Sequence, residues 1–433
     1  MRTLIALLCL LLAGQIQARP TASVKMSVER EENRRSKGDT LVLPYAFSTE
    51  SMGTVIGVGG MARGFYQDQM TVGGTVFGGK ESHGIALGAW DYRFPWTNRL
   101  YISAIGMLGY YPRQRAYTSG DLFIPPDIPP PGSNDSSPNA FIEAQGASNW
   151  LDIKLEYALP IGAARNKGMI DYRLTNGLLT SAPSGGDQWN PLSSGATVVT
   201  LQQTNRYQSF ENDEQKVDGT VHALQLGILY DNTDFPTNPS RGSSQYLAVT
   251  HDAAWFDSED KWTAVEFEAS KYFSLGASEH AHQRIIAING WTAYSPSWET
   301  ETNAQGATRP VDNPPYMEGA TLGGFYRMRG YDMNRFHDKA AIYATAEYRY
   351  TLRYNPLKGI EWLRFLNLDW FQLVGFVEGG RVGPSYTSDD LLNDWKSDIG
   401  FSLRALTAGI VVRFDMAHSD EGTNAWVMVG HPF

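Results

Sequence analysis

Paired histidines and carboxylates are the first candidates for catalysis in this chain, and they are few. His251 and Asp252 are adjacent in a predicted strand, where neighbouring side chains point to opposite faces, so we do not expect a catalytic dyad. His280 and His282 lie in a short turn and could share a metal ion, but no further ligand pattern accompanies them. Gly-x-Ser-x-Gly elbows, phosphate loops and EF-hand loops are also missing from the sequence. We therefore expect no enzymatic activity, no metal site and no cofactor.

Arg329 is the charged residue with the most informative surroundings. It lies on a long connection in which Gly323, Gly324 and Gly330 give the chain freedom to fold back. A guanidinium that leaves bulk water must find carboxylates, and its planar fork suits two of them better than a lysine would. Glu347, on the polar face of the following strand, is a candidate partner. Two interpretations remain open from these residues: an internal clamp, or a solvated loop charge that contributes little.

The strand after this loop indicates which kind of fold would position the arginine. Between Ile342 and Tyr354 one face is apolar and aromatic, whereas the other carries polar and charged residues that include Glu347 and Arg349. Such two-residue alternation predicts a strand with one face in an apolar environment and the other in water. A soluble sandwich usually exposes its charged face, whereas a membrane barrel has an apolar exterior and a polar lumen.

The first 18 residues predict export from the cytoplasm. Arg2 supplies a positive start, Leu4 to Leu12 form an apolar run, and a small, polar stretch ends at Ala18. This pattern is that of a signal peptide cleaved after Ala18. The single cysteine, Cys9, lies inside it, so we expect neither disulfides nor a thiol enzyme. A net charge of −10 argues against a general nucleic-acid-binding surface.

The rest of the chain has an all-β composition. Aromatic residues make up 12% of the chain, there are 43 glycines, and no segment after the signal peptide reaches the roughly 18 consecutive apolar residues of a membrane helix. Alternation and turn residues predict sixteen strands, at 41–47, 54–65, 69–79, 84–94, 99–111, 150–160, 168–176, 221–231, 243–256, 261–274, 283–295, 341–354, 368–382, 397–404, 408–417 and 424–433. Long connections at 112–149, 177–220 and 296–340 follow odd-numbered strands, and shorter ones follow most even-numbered strands. We therefore predict a transmembrane antiparallel β-barrel with long extracellular loops and short periplasmic turns.

Four segments, taken together, resemble the barrel of the BamA/TamA family, also called the bacterial surface antigen family. They are Arg329-Gly330-Tyr331, the run from Asp231 to Gly242 with Asp234, Pro239 and Arg241, the segment Phe376-Val377-Glu378-Gly379-Gly380, and a closing strand that ends at Phe433. All four occur in the order of the family, and the similarity spans essentially residues 41–433. Glu378 stands where the family has aspartate.

The resemblance implies a role for each of these segments. Arg329 would latch its loop inside the barrel by pairing with Glu347 and Glu378, with Tyr331 and Phe376 packed beside it. Gly330 and Gly380 belong to the same motifs. The run 231–242 would form a periplasmic turn. Phe433 would be the C-terminal signal read by the barrel assembly machinery.

One departure from the family affects the expected domain organisation. Members that insert or export proteins carry periplasmic POTRA modules, whereas the segment before the first predicted strand is short and charged. We therefore expect a signal peptide at 1–18, a short charged periplasmic segment at 19–40 and an outer-membrane barrel of surface antigen type at 41–433. A separate periplasmic protein would then supply any substrate-receiving module.

The function that the resemblance implies is insertion or translocation of protein or lipid at the outer membrane. It would act through a weak seam between the first and last strands, where Pro44 removes one ladder donor. The expected partners are outer-membrane lipid and lipopolysaccharide, the barrel assembly machinery during biogenesis and a separate periplasmic protein, with no nucleic acid. Alternatives are a pore gated by the Arg329 loop, a structural or surface-antigen barrel displaying the 112–149 and 177–220 loops and, more remotely, a rim enzyme.

Overall fold

The computed structural model describes residues 24–31, 38–49, 52–186, 188–211, 216–258 and 260–433. The predicted signal peptide lies outside these residues. In chain order the strands are β1 (Met26–Arg30), β2 (Asp39–Thr49), β3 (Gly53–Arg63), β4 (Thr71–Gly79), β5 (His83–Arg93), β6 (Leu100–Ala116), β7 (Ile142–Ala158), β8 (Ile170–Thr175), β9 (Leu178–Leu179), β10 (Ala196–Glu211), β11 (Lys216–Asp231), β12 (Gly242–Ala253), β13 (Lys261–Ser274), β14 (Ala281–Tyr294), β15 (Glu299–Thr302), β16 (Thr308–Val311), β17 (Thr321–Leu322), β18 (Phe336–His337), β19 (Ala340–Leu352), β20 (Leu368–Gly383), β21 (Lys396–Thr407), β22 (Ile410–Ser419) and β23 (Gly422–Val429). Short helical turns occur at Gly162–Ala164, Glu361–Leu366 and Ser388–Leu391.

Sixteen of these strands form one antiparallel sheet in the order β2–β7, β10–β14 and β19–β23. Each strand pairs with its neighbours in that order, as in an up-and-down barrel. The first and last strands share one apolar cluster, in which Leu41 and Leu43 of β2 lie with Leu366 and Ala408, and Val429 of β23 packs against it. The predicted sixteen-stranded transmembrane barrel is therefore confirmed. We call the rim where β2 begins and β23 ends the lower mouth, and the opposite rim the upper mouth.

The polarity of the strands is that of a membrane barrel. In β19 the side chains of Glu347 and Arg349 are buried and face the lumen, whereas the ring of Tyr348 between them is 43% exposed on the outer face. The same inversion recurs around the sheet, where Ile56 and Leu226 are more than half exposed. An apolar outside and a charged inside are stable only when the outside meets hydrocarbon.

No helix in the described part of the chain is long and apolar enough to cross a membrane.

One predicted barrel strand was wrong. The segment predicted at 168–176 contains β8. This strand is not one of the wall strands and belongs to a separate three-stranded sheet of order β1-β8-β9. The seventh wall strand is β10, within the span predicted as the loop 177–220. Thr200, Gln202 and Thr204 line its inner face, and Gln203 and Asn205 follow on its outer face. Because both faces carry polar residues, the alternation that identifies a half-apolar strand is masked.

This error also changes which loops could be displayed at the surface. The long connection 159–195 follows the sixth wall strand and therefore lies at the lower mouth, together with the chain ends of the sheet. The predicted rule of long loops at one rim and short turns at the other fails here. The long connections 117–141 and 295–339 do lie at the upper mouth.

Two insertions fill the ends of the lumen. The upper insert, residues 295–339, carries β15 to β18 and packs Leu322, Met328 and Phe336 against wall residues such as Trp291 and Tyr343. The lower insert consists of residues 24–31 and 159–195, with the β1-β8-β9 sheet at its centre. Together they bring loop side chains into the polar interior from both ends.

Candidate functional site

The upper insert turns into the lumen because glycines allow it to. Gly323 has φ of +107°, a backbone conformation that favours glycine. At Gly330 a Cβ atom would lie 2.6 Å from the Cβ of Asp398 on β21, closer than real carbon atoms approach. The loop can therefore run flush against the inner wall, and its next residues reach the polar faces of several strands.

Arg329 lies at the centre of this contact and is fully buried. Its Nη2 donates to Glu347 Oε1 at 3.0 Å, and its Nε donates to Glu378 Oε1 at 3.1 Å. The backbone N–H of Arg329 donates to the second oxygen of Glu378 at 2.6 Å. Its guanidinium carbon lies 3.4 Å from the ring centroid of Phe376. The structure thus brings Arg329 together with both predicted carboxylates and with Phe376.

A third carboxylate, absent from the predicted set, completes the clamp. Arg329 Nη1 donates to Asp415 Oδ2 on β22 at 3.4 Å, and Arg413 pairs with the same carboxylate. Glu347 in turn accepts from Arg404 at 2.7 Å and from Arg349 at 2.8 Å. The signal for these residues was present, because Arg413 and Asp415 alternate with apolar residues on one predicted strand. Spacing within a strand could not show which strands meet across a lumen.

The backbone of the Arg-Gly-Tyr segment is held as firmly as its side chains. Gly330 N–H donates to Asp398 on β21 at 3.0 Å, and Ser419 on β22 donates to the Gly330 carbonyl at 2.8 Å. Trp426 Nε1 on β23 donates to the Arg329 carbonyl at 2.8 Å. The latch therefore connects β19 and β20 with all three of the last strands.

Tyr331 contacts the turn between β22 and β23. Its ring packs edge-on against Phe336, and its hydroxyl donates to Asp420 in the β22–β23 turn at 2.6 Å. Partial burial opposes ionisation of Asp420, but the hydrogen bond from Tyr331 and the charge of Lys396 hold its pKa below its usual range. Tyr331 thus ties the insert to the upper mouth rather than to the carboxylate cluster.

Gly380 serves packing instead of charge. A Cβ atom at this position would lie 2.8 Å from the Ile342 carbonyl oxygen and 2.9 Å from Leu322 Cδ1. The glycine on β20 therefore makes room for the upper insert against the wall.

The motif at 231–242 forms a tight turn at the lower mouth. Asp231 accepts from the backbone N–H of Thr233 at 2.8 Å, and Asp234 accepts from the N–H of Ser240 at 2.9 Å and of Arg241 at 3.3 Å. The turn then leads into β12 through Gly242, whose φ is +100°. Pro239 is buried within the turn. These residues shape the turn and present no reactive group.

Phe433 lies inside the lumen. Its ring lies 4.9 Å from the guanidinium of Arg349 on β19 and 6.3 Å from the ring of Tyr272 on β13. His431 Nδ1 lies 2.8 Å from Arg404 Nη1. The tail after β23 therefore turns inward. The proposed role of Phe433 as an assembly signal remains a prediction.

The other residues with potential for chemistry do not converge. His251 contacts Thr263 at 2.9 Å on the outer face of β12, while the buried Asp252 accepts from the backbone N–H of His222 at 2.8 Å. The side chain of His280 is 79% exposed. Within the described ranges, no group of three or more His, Cys, Asp or Glu side chains could hold a metal ion.

Comparisons with known proteins agree with this architecture. A family model described as the Omp85 superfamily domain matches residues 150–424. Among solved structures, CdiB from Escherichia coli is similar with a TM-score of 0.52 and 9% identity, over 95% of this chain and 67% of that chain. The fold is therefore shared with that barrel. No curated protein matches.

Two further solved structures are similar over most of this chain. BamA from Haemophilus ducreyi lacking POTRA domains 1–3 has a TM-score of 0.47 and 14% identity, over 96% of this chain and 76% of that chain. CdiB from Acinetobacter baumannii has a TM-score of 0.47 and 11% identity, over 91% of this chain and 59% of that chain.

Proposed function

The chain belongs to the Omp85 superfamily, as its motifs predicted, and from this premise we propose that it inserts or translocates protein or lipid at the outer membrane. The seam between β2 and β23 is the route, and the Arg329 clamp is the latch that holds the barrel around it. Outer-membrane lipid and lipopolysaccharide surround the barrel, and a separate periplasmic protein delivers cargo to the lower mouth. The barrel assembly machinery inserts the chain itself.

The observation that carries this proposal is the state of the seam. β2 and β23 are the two end strands of the wall sheet, and the other neighbouring wall strands are joined by ladders. Leu41 and Leu43 of β2 form an apolar cluster with Leu366 and Ala408, and Val429 of β23 packs against this cluster. Unpaired strand edges are costly in hydrocarbon and are also templates for an added strand. Pro44 lacks an N–H and weakens the β2 edge further.

The latch is connected to this seam through the last strand. Trp426 of β23 donates to the Arg329 carbonyl, and β21 and β22 hold Gly330. The position of the upper insert therefore sets the position of the strands that form one side of the seam. A barrel that opens at the seam must keep these strands together as a unit, and the clamp supplies the connection.

A cross-link across the seam tests the route. Cysteines replace Leu43 and Val429, and Ile288 and Ala346, which pair within the β14–β19 ladder, provide the matched control. Cys9, the chain's single native cysteine, lies in the predicted signal peptide and is left unchanged in both variants. The readouts are complementation of a deletion strain and insertion of an unfolded outer-membrane barrel protein into proteoliposomes.

We expect the oxidised seam pair to abolish both activities and a reductant to restore them, whereas the control pair should have no effect. Full activity of the locked barrel would exclude seam opening as the mechanism.

A gated pore is the second candidate, and a luminal cavity favours it. About 130 Å³ of space remains between the upper insert and the wall, lined in part by Arg327, Glu266 and Trp291. Planar-bilayer recordings of wild type and Arg329→Ala test this reading. A closed wild type with a conducting variant would support gating by the insert, and an equally closed variant would exclude it.

A further inference from the structure

β1 lies across the lower mouth like a bar. At one end Lys25 pairs with Asp91 of β5 and with Glu156 of β7, the latter at 2.5 Å. At the other end Arg30 pairs with Asp369 of β20 at 2.9 Å. β5 and β7 lie well apart from β20 in the sheet order, and a five-residue strand spans about 17 Å. The bar is therefore fixed to different sides of the wall by a cation at each end.

Between these ends the bar is held as an added strand. All five of its residues pair in parallel with β8, from Met26 opposite Ile170 to Arg30 opposite Leu174. Met26 and Val28 pack onto an apolar cluster that contains Tyr172 and Phe235. Ser27, on the other face, donates to Asp171 at 2.7 Å. Backbone pairing with pockets for alternate side chains is how a sheet edge binds an extended peptide.

The site that β1 occupies has three components, each belonging to another part of the chain. The β8 edge supplies backbone partners, the cluster around Tyr172 takes alternate apolar side chains, and Asp91, Glu156 and Asp369 take cations. Lys25 is 1% exposed, so a ligand without a cation there would remove one ion pair from the buried Glu156. Lys154 also pairs with Glu156, at 3.4 Å.

We propose that this edge is a docking site for an extended polypeptide entering the lower mouth, and that residues 24–30 occupy it as an internal ligand. The ligand it takes has a basic residue, alternating apolar residues and a second basic residue five positions later. This inference rests on the proposed function, since it assumes that the cargo includes polypeptide. Cargo displaces β1 and reaches the lumen at the same step.

Peptide binding to the full-length barrel in nanodiscs tests the site. The probe is a labelled peptide with the sequence of residues 23–31, and its control carries glutamate in place of the lysine and arginine. In one variant, Lys25→Gln/Arg30→Gln, the internal ligand loses both cations. In the second, Ser27→Cys/Asp171→Cys, a disulfide joins β1 to β8 at a directly paired position.

We expect the Lys25→Gln/Arg30→Gln barrel to bind the probe at least tenfold more tightly than wild type and to ignore the charge-reversed peptide. The oxidised Ser27→Cys/Asp171→Cys barrel should bind at least tenfold more weakly than its reduced form. If the first variant does not fold, the oxidised and reduced forms of the second carry the test alone. Equal binding by these two forms would overturn the proposal.

The test separates this inference from the function on which it rests. A barrel locked at Leu43 and Val429 should still bind the probe, because the lower mouth does not require an open seam. If wild type binds the probe but inserts no cargo, the docking site is supported and the insertion function is excluded. Conversely, wild type could insert cargo, with insertion unchanged by the β1–β8 disulfide and no binding of the probe. This result would support the insertion function and exclude the docking site.

Discussion

The two ends of the lumen are filled in different ways. The upper insert is fixed at its centre, where the fully buried Arg329 meets Glu347, Glu378 and Asp415 from three strands. The lower insert has an apolar centre around Tyr172, and ion pairs link the two ends of β1 to the wall. Both inserts use charge, but one places it in the middle of the contact and the other at the margins.

This difference determines how each insert can give way. Removing one partner from a buried charge cluster leaves the others without compensation, so partial release of the upper insert is unfavourable. β1 can instead peel away from one end, and water then reaches the carboxylate that it leaves. The upper insert is suited to holding the barrel in shape, and the lower one is suited to being displaced.

The sharpest way to break this comparison is to remove the central cation. Arg329→Met should lower the free energy of unfolding by about 3–5 kcal/mol, because carboxylates from three strands lose their shared partner. The measurement is urea unfolding of the refolded barrel, followed by its heat-dependent mobility on gels. Arg327→Met is the matched control, since Arg327 stacks on Trp291 at 4.0 Å and pairs with Glu268 on β13 instead of with the carboxylates around Arg329. Equal losses in the two variants would show that Arg329 is not the centre of the latch.

A smaller effect is expected at the lower mouth. Lys25→Gln should accelerate amide exchange in β8 by an amount equivalent to about 1–3 kcal/mol of local opening, and global unfolding should hardly change. The loss is limited because β1 can leave and allow Asp91 and Glu156 to hydrate. Lys167→Gln removes an ion pair of a lysine that is 73% exposed, and it should leave amide exchange in β8 unchanged. A global loss from Lys25→Gln as large as that from Arg329→Met would contradict the distinction between the inserts.

The connection between latch and seam should be worth less again. Trp426→Phe keeps an aromatic ring but removes the Nε1 donor to the Arg329 carbonyl, at a cost of about 1 kcal/mol. We expect the seam disulfide between positions 43 and 429 to form faster in this variant, since β23 loses one tie to the insert. Unchanged cross-linking kinetics would mean that the latch and the seam are independent.

The smallest expected response is that of the upper insert to acid, because the pKa shifts of two neighbouring residues have opposite effects on its stability. Burial lowers the pKa of His337 to about 3 and raises that of Asp338 to about 6. Between pH 7 and 4, His337 takes up a proton in the unfolded state but not in the folded state, so acidification destabilises the folded state. Asp338 takes up a proton mainly in the folded state, so acidification stabilises the folded state. Each effect is on the order of 2–3 kcal/mol, and wild type should change by less than about 1 kcal/mol.

Single variants should reveal the two slopes. Protection of amides in the upper insert, corrected for the intrinsic pH dependence of exchange, should fall on acidification in Asp338→Asn and rise in His337→Asn. Parallel responses in both variants would show that the two groups do not compensate.

The sequence predicted those features that depend on local alternation or on motif spacing. β19 alternates so clearly that its faces, and hence the inward direction of Glu347, followed directly. Asp415 was missed as a partner of Arg329 because the distance across a barrel depends on closure, which no local pattern encodes. β10 was missed because threonine and glutamine occupy both of its faces.

The lower insert was missed for a further reason. Residues near Glu29 were interpreted as too charged and too short to bury a core. That interpretation counted only the apolar surface that the segment could bury against itself. Met26 and Val28 bury theirs against residues more than a hundred positions later in the chain, at Tyr172 and Phe235.

The inward turn after β23 has a consequence for the order of assembly. Phe433 and His431 lie against the inner wall formed by β13, β19 and β21, between inserts that cover both mouths. Once both inserts are seated, they lie between this position and the two mouths. We therefore expect the tail to enter the interior before the two ends of the lumen are filled, and the barrel to mature around it from the inside outwards.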